Sequence, residues 1–356
     1  MENNLKLQPL GIGSLPHKNP DEAMRVVAQN FPQIPFFPQL ANISKNEDMM
    51  FQFLEGLPSF SPDKSEKFLL DSESEEFLSG LEEFFSDYEE IISNINSPLL
   101  EKYVITSKSS STFEKFEQFI NDTKPHYAKG QIVGAFTLCT TLKDQNGRVI
   151  IYDETLRDII VKLLSLKALW QIRHIKTANP DTIPIIFMDE PSVSQIGSSA
   201  YLTISENEVI SMLKEISDVI KNNGGLSAMH CCGKCDWRLP IKTGISIINF
   251  DAYTYGQNFN VYHKEISKFL NSGGKIAWGF VPTLDGKILH KLSIEDLVQK
   301  FHDSVNYLTK NGINEKLIID NSLITSSCGA GGLSIKDAEL AMSLVKGLSD
   351  RLKSEV

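Results

Sequence analysis

Apolar, β-prone runs bounded by glycine, proline, asparagine or aspartate recur along the chain, at about 8–13, 34–40, 130–137, 183–189, 225–231, 245–251, 275–281 and 316–321. Most of the intervals between them carry apolar residues at the spacing of a helix face, as in 154–176, 204–222, 260–271, 293–310 and 335–354. This alternation constrains the fold more than any other feature. A strand, a helix and a further strand make a parallel βαβ unit, and eight such strands can close into an α/β fold of the (β/α)8 (TIM) barrel type. The 356 residues suffice for one such barrel domain, 1–356, because barrels of this kind run from ~200 to over ~400 residues.

The stretch from about 42 to 128 is too long for one strand-to-helix connection and is rich in Glu, Asp, Ser and Phe. It reads as a helical insertion after the second strand, with the acidic run from Asp71 to Glu90 forming a solvated helix face. A formal charge of −10 without a basic stripe argues against nucleic acid or an acidic membrane surface as partner. No apolar run is long enough to span a bilayer, and Met1 to Pro9 has neither the charged nor the apolar region of a signal peptide. The expectation is a cytoplasmic protein that meets a small molecule or another protein.

Three of the five cysteines fall in His230-Cys231-Cys232-Gly233-Lys234-Cys235, and Cys328 stands far downstream, after the last strand candidate. Such clustering is unlike a secreted disulfide framework and is that of reduced thiols held by a soft metal. Active sites of barrels lie at the carboxyl ends of the strands, so Ser14, Asp189, Glu190, His230, Cys232, Asp251 and Cys328 are predicted to converge on one mouth. His230, Cys232 and Cys328 supply three zinc ligands, and the His-x-Cys spacing turns alternate residues to the same side, with Cys231 facing away. Asp251 is the expected fourth ligand, or acts from behind the ligands, and Cys235 is the alternative. A zinc site with an exchangeable position strips the proton from an incoming thiol and leaves it nucleophilic, which is the chemistry of alkyl transfer to sulfur. The non-enzymatic alternative is a structural zinc in a barrel that binds a partner through its acidic insertion.

A thiol substrate with an amino-acid end needs a carboxylate site and an ammonium site. The turn Gly11-Ile12-Gly13-Ser14 offers backbone N–H groups and a hydroxyl to a carboxylate. Asp189, in Met188-Asp189-Glu190-Pro191, suits an ammonium group, and Glu55, in Phe53-Leu54-Glu55-Gly56-Leu57-Pro58, is a second candidate. Trp237 and Trp278 flank the metal strands and read as packing residues, with a pocket-wall role as the alternative; Cys139 is a candidate wall of a donor pocket.

Five pieces in order, Ile12-Gly13-Ser14, Asp189-Glu190-Pro191, His230-x-Cys232, Ile248-Asn249-Phe250-Asp251 and Cys328-Gly329, resemble the catalytic barrel of cobalamin-independent methionine synthase. That family belongs to a superfamily that also holds uroporphyrinogen decarboxylase and corrinoid-dependent methyltransferases. The likeness runs from about 8 to 350 and fits 42–128 poorly. It implies that Ile12, Gly13 and Ser14 bind the homocysteine carboxylate, that Asp189 binds its amine, and that His230, Cys232 and Cys328 hold zinc, with Asp251 where the family has Glu.

The chain departs from the family in three respects. Read as a single barrel, the 356 residues are expected to lack the additional amino-terminal barrel that helps bind polyglutamylated folate. The folate-stacking Trp of the family is replaced by Leu138-Cys139-Thr140-Thr141, and its proton-donating His by Phe280-Val281-Pro282. A folate nitrogen leaves only when protonated, whereas a corrinoid leaves as reduced cobalt without a proton. The resemblance and its departures together predict a short methionine synthase whose donor is methylcobalamin or a corrinoid protein. A corrinoid-dependent methyltransferase with another thiol acceptor, such as coenzyme M, is the alternative. A decarboxylase of the uroporphyrinogen type would need an arginine-lined pocket, and the amino-terminal strands offer Lys18 and Arg25 but no arginine cluster.

Overall fold

In the computed structural model, which describes residues 5–60, 69–198, 201 and 203–356, the strands are β1 (Pro9–Leu10), β2 (Leu69–Leu70), β3 (Tyr127–Val133), β4 (Lys143–Asp144), β5 (Ile183–Asp189), β6 (Leu226–Cys231), β7 (Ile247–Phe250), β8 (Lys275–Val281) and β9 (Ser322–Ser326). Seven form a curled, all-parallel sheet in the order β1-β9-β8-β7-β6-β5-β3, and β2 pairs with β4 alone. Helices follow the strands as parallel connections require, among them Glu154–Ala178 after β3, Glu206–Asn222 after β5, Ile294–Lys310 after β8 and Ile335–Lys353 after β9. Their starts are set by side-chain caps: Asp153, Ser205, Ser293 and Ser334 each accept from a backbone N–H of the first turn. The architecture is that of a TIM-like α/β protein.

The pleat sorts each strand into two faces. Leu10, Ile185, Phe187, Ala228, Ile247, Ala277 and Leu323 meet in one inner cluster, which Ile34 joins. Their alternates Ile186, Met188, Met229, Ile248, Ile276 and Ile324 pack outward in the large core shared with the helices. Two residues further along, the inward positions turn polar: Asp189, His230, Asn249 and Thr325, with Lys129 and Gln131 of β3, are all buried. An apolar base thus supports a polar layer at the carboxyl ends.

The expected second strand, 34–40, makes no ladder. It touches both sheet edges through the isolated parallel bridges Phe36↔Lys129 and Ser14↔Gln39, with Lys129 N donating to Pro35 O (2.8 Å) and Gln39 N to Gly13 O (3.1 Å). Pro35 and Pro38 have no N–H to give, so regular pairing stops there. The regular sheet is therefore seven-stranded and curled, not a continuous eight-stranded barrel. The run 316–321 is also not a strand. Asn314 caps a helix over Glu315–Asp320, and the strand is the next segment, Ser322–Ser326. A short apolar run has no period that separates the two states.

The insertion carries helices Glu75–Ser93 and Phe113–Thr123 and a 3-10 segment Pro98–Tyr103. It is pinned to the helix Glu154–Ala178 by Arg173 with Glu101, by the Phe113–Trp170 ring contact, and by the Lys167 ammonium, which donates to Val104 O (2.8 Å). Among the described residues no helix is long and apolar enough to cross a membrane.

Candidate metal and substrate site

The parallel register fixes where the polar layer meets. His230 on β6 is level with Asp189 on β5 and with Asn249 on β7. Cys232 follows β6 directly, and Cys328 lies two residues past β9. One ligand atom each from His230, Cys232 and Cys328 lies within 4.8 Å of the others, a group that could hold a metal ion. His230 Nδ1 is 2.5 Å from Asn249 Oδ1. His230 Nε2 is buried and has no hydrogen-bond partner. An unpartnered buried nitrogen beside two sulfurs is the donor set that a soft divalent ion satisfies.

The electrostatics of the three side chains favour one deprotonated sulfur. A hydrogen bond from Cys328 and the adjacent His230 imidazole pull the Cys232 thiol down to about 4, against its burial. The Cys328 thiol is pushed up by the same hydrogen bond and by burial. Burial would lower His230, but the adjacent Cys232 sulfur and the charge of Asp189 outweigh it and raise the imidazole.

A cavity of about 400 Å³ opens onto these ligands, walled by Ser14, Asp189, Gln39, Asp48, Met49 and Gly329. Asp189 Oδ1 is buried without a partner. Burial raises its carboxyl, while His230 and the Lys129 ammonium pull it back. Lys129 is itself lowered to about 8 by burial, against the attraction of Asp189. Its Nζ donates to Ile12 O and Gln131 Oε1, which ties the end of β1 to β3. Two residues past Ile12, Ser14 accepts at Oγ from Gly331 N (3.2 Å) and at its backbone O from Ala330 N (2.9 Å). With its oxygen accepting from Gly331, the Ser14 hydroxyl keeps its own proton to donate. This packing requires glycine at 329, where a Cβ would stand 2.1 Å from Ser14 Oγ.

Other expected site residues lie elsewhere. Glu55 does not line the cavity: its carboxylate accepts from Thr106 N (3.1 Å), Thr106 Oγ1 (2.8 Å) and Ser109 Oγ, stapling the insertion together. Among the described residues of the insertion, the acidic ones that reach the cavity are Glu47 and Asp48. Asp251 is outside the three-residue ligand group but close enough to feel the charges of Cys232 and His230, as a residue behind the ligands would. It caps the helix Ala252–Asn260, accepting from Thr254 N (2.8 Å), and burial raises its carboxyl. Cys235 pairs with Cys231 instead: its thiol is raised by that hydrogen bond and by burial, and both sulfurs belong to the outer core. Glu190, next to Asp189, points outward and caps the helix Ala135–Thr141 through Phe136 N, Thr137 N and Thr137 Oγ1. Trp237 and Trp278 pack with Phe250 and Phe259 in the outer core, and Cys139 is wholly buried there.

The sequence reading missed Lys129 and assigned Asn249 no role. The signal was present in both cases: each shares the inward parity of its strand with an apolar residue two positions earlier. No protein-family model matches the chain, and no curated protein matches it either.

Proposed function

We propose that the protein is a zinc-dependent methyltransferase that converts homocysteine to methionine, with methylcobalamin or a corrinoid protein as donor. The observation that carries this reading is the convergence of His230, Cys232, Cys328, Ser14 and Asp189 on one cavity. The reading takes the chain as one domain of (β/α)8 type, supported by the bridges through which 34–40 touches Lys129 on one edge strand and Ser14 beyond the other.

His230, Cys232 and Cys328 would hold zinc, and the bound ion would supply a lowered pKa to an incoming thiol, so that the sulfur reacts as a thiolate. The chain's own groups orient the rest of the substrate. Asp189 Oδ1, left without a protein partner, receives the ammonium group. The Ser14 hydroxyl, oriented by Gly331 N–H, donates to the carboxylate. Substrate sulfur then bonds to the methyl carbon as the carbon–donor bond breaks, and the electron pair of that bond leaves with the donor. Leu138, Cys139, Phe280 and Val281 are buried in the outer core, so the positions where the resembling family keeps a stacking Trp and a proton donor present neither here. A donor that departs as reduced cobalt needs neither.

The test is incubation of the zinc-loaded protein with homocysteine and either methylcobalamin or methyl-folate, with methionine measured by mass spectrometry. Methionine from methylcobalamin is expected. Turnover with methyl-folate alone sinks the corrinoid donor, and a zinc-loaded protein that methylates no thiol with either donor sinks the reading.

A further inference from the structure

We propose that Asn249 is a positioning residue that holds His230 in its Nδ1–H tautomer and thereby presents the Nε2 lone pair to the sulfurs of Cys232 and Cys328. The proposal rests on reading that cluster as a metal site, and it follows from an accounting of donors and acceptors around one amide. Asn249 Nδ2 lies 2.9 Å from Ala277 O and 2.8 Å from Thr325 Oγ1. A backbone carbonyl can only accept, so the atom facing it is the amide nitrogen, and the oxygen faces His230. That oxygen in turn can only accept, so His230 Nδ1, 2.5 Å away, carries a hydrogen. A neutral imidazole has one N–H, which leaves Nε2 with its lone pair. Nε2 is also the ring nitrogen that is buried and unpartnered.

The amide cannot turn over without breaking contacts on two other strands. It sits on β7, donates to β8 at Ala277 and to β9 at Thr325, and accepts from β6 at His230. Thr325 lies on the strand that leads to Cys328. One side chain therefore ties the strands bearing two of the ligands to each other, and sets which nitrogen points between them. An imidazole without this acceptor would populate both tautomers, and the Nε2–H form aims a proton where a cation would sit.

The test uses the metal-free protein first. Nitrogen-15 NMR of the histidine rings, recorded at alkaline pH where the imidazole is neutral and with His230 assigned by its loss in His230→Gln, is expected to show a protonated Nδ1 and a pyridine-type Nε2; a protonated Nε2 in the neutral ring overturns the proposal. Asn249→Leu removes the acceptor at similar volume, and Asn249→Asp keeps an oxygen opposite Nδ1. Asn249→Leu is expected to mix the tautomers and to weaken Zn²⁺ binding, measured against a chromophoric chelator, by about 10–100-fold. Asn249→Asp is expected to keep the Nδ1–H form. Wild-type tautomer and wild-type affinity in Asn249→Leu would also overturn the proposal. Failure of the wild-type protein to bind Zn²⁺ would instead strike the metal reading, which the metal-free spectrum does not depend on.

Discussion

Asp189 and His230 are register partners on neighbouring parallel strands, β5 and β6. Equivalent positions on adjacent strands turn the same way, so a carboxylate and an imidazole, each with an unpartnered buried atom, open side by side onto one cavity. The proposed chemistry places the ammonium and the sulfur of one small substrate against these two groups.

Removing a ligand should remove the metal, and removing a neighbouring thiol should not. His230→Ala, Cys232→Ala and Cys328→Ala are each expected to lose more than ~100-fold in zinc affinity, beyond the loss that outlying partners of a ligand cause. Cys235→Ala and Asp251→Asn are expected to keep zinc, since the Cys235 thiol is hydrogen-bonded to the Cys231 sulfur and an asparagine at 251 preserves the helix cap. Elemental analysis of the purified variants checks this, and zinc loss in either of the last two would make that residue a ligand.

Asp189→Ala should raise the KM for homocysteine by roughly 10–100-fold, the loss of a hydrogen bond between charged groups at about 1.5–3 kcal/mol. A thiol acceptor without an amine should be unaffected. Steady-state kinetics with both acceptors decides, and equal effects on the two would argue for an acceptor other than an amino acid.

Glu55→Ala should act on stability alone. It strips the partners from the half-buried Thr106 N and Thr106 Oγ1 and the buried Ser109 Oγ, and stranding these groups destabilises by about 1–3 kcal/mol. Urea melts measure this. A raised homocysteine KM in the folded variant would return Glu55 to the substrate site.

Lys167 should leave a signature in the pH dependence of stability. Burial lowers it from 10.5 to about 7, against the attraction of Glu55. The unfolded chain keeps this proton up to ~10.4, so between about pH 7 and pH 10 the unfolded state binds more protons and the folded state gains stability as pH rises. Lys167→Met removes the effect. Wild-type minus variant stability should climb across that window by up to ~1.4 kcal/mol per pH unit, and a flat difference in denaturant melts would place the lysine in a hydrated setting.

Much of this was legible in the linear chain, for a physical reason. Strand and helix differ in period, so β5 and β8 fall on 183–189 and 275–281 as read, and long amphipathic segments with capping residues announce the helices. His230 and Cys232 were readable as a pair because alternate residues share a side. The period is silent where runs are short or proline-rich, which is why 316–321 reads as a strand and 34–40 as a full ladder.

By itself the sequence determined the parallel α/β alternation, the chemistry of the thiols and the parity that turns His230 inward and Cys231 outward. Only the tertiary structure decided that Cys328 joins them, that Glu55 is stapled within the insertion while Asp48 lines the cavity, that Asp251 caps a helix, and that Asn249 reaches His230. Those outcomes depend on the register between strands and on which donors remain unpaired after packing. Both are properties of contacts between distant segments, which no local pattern of residues encodes.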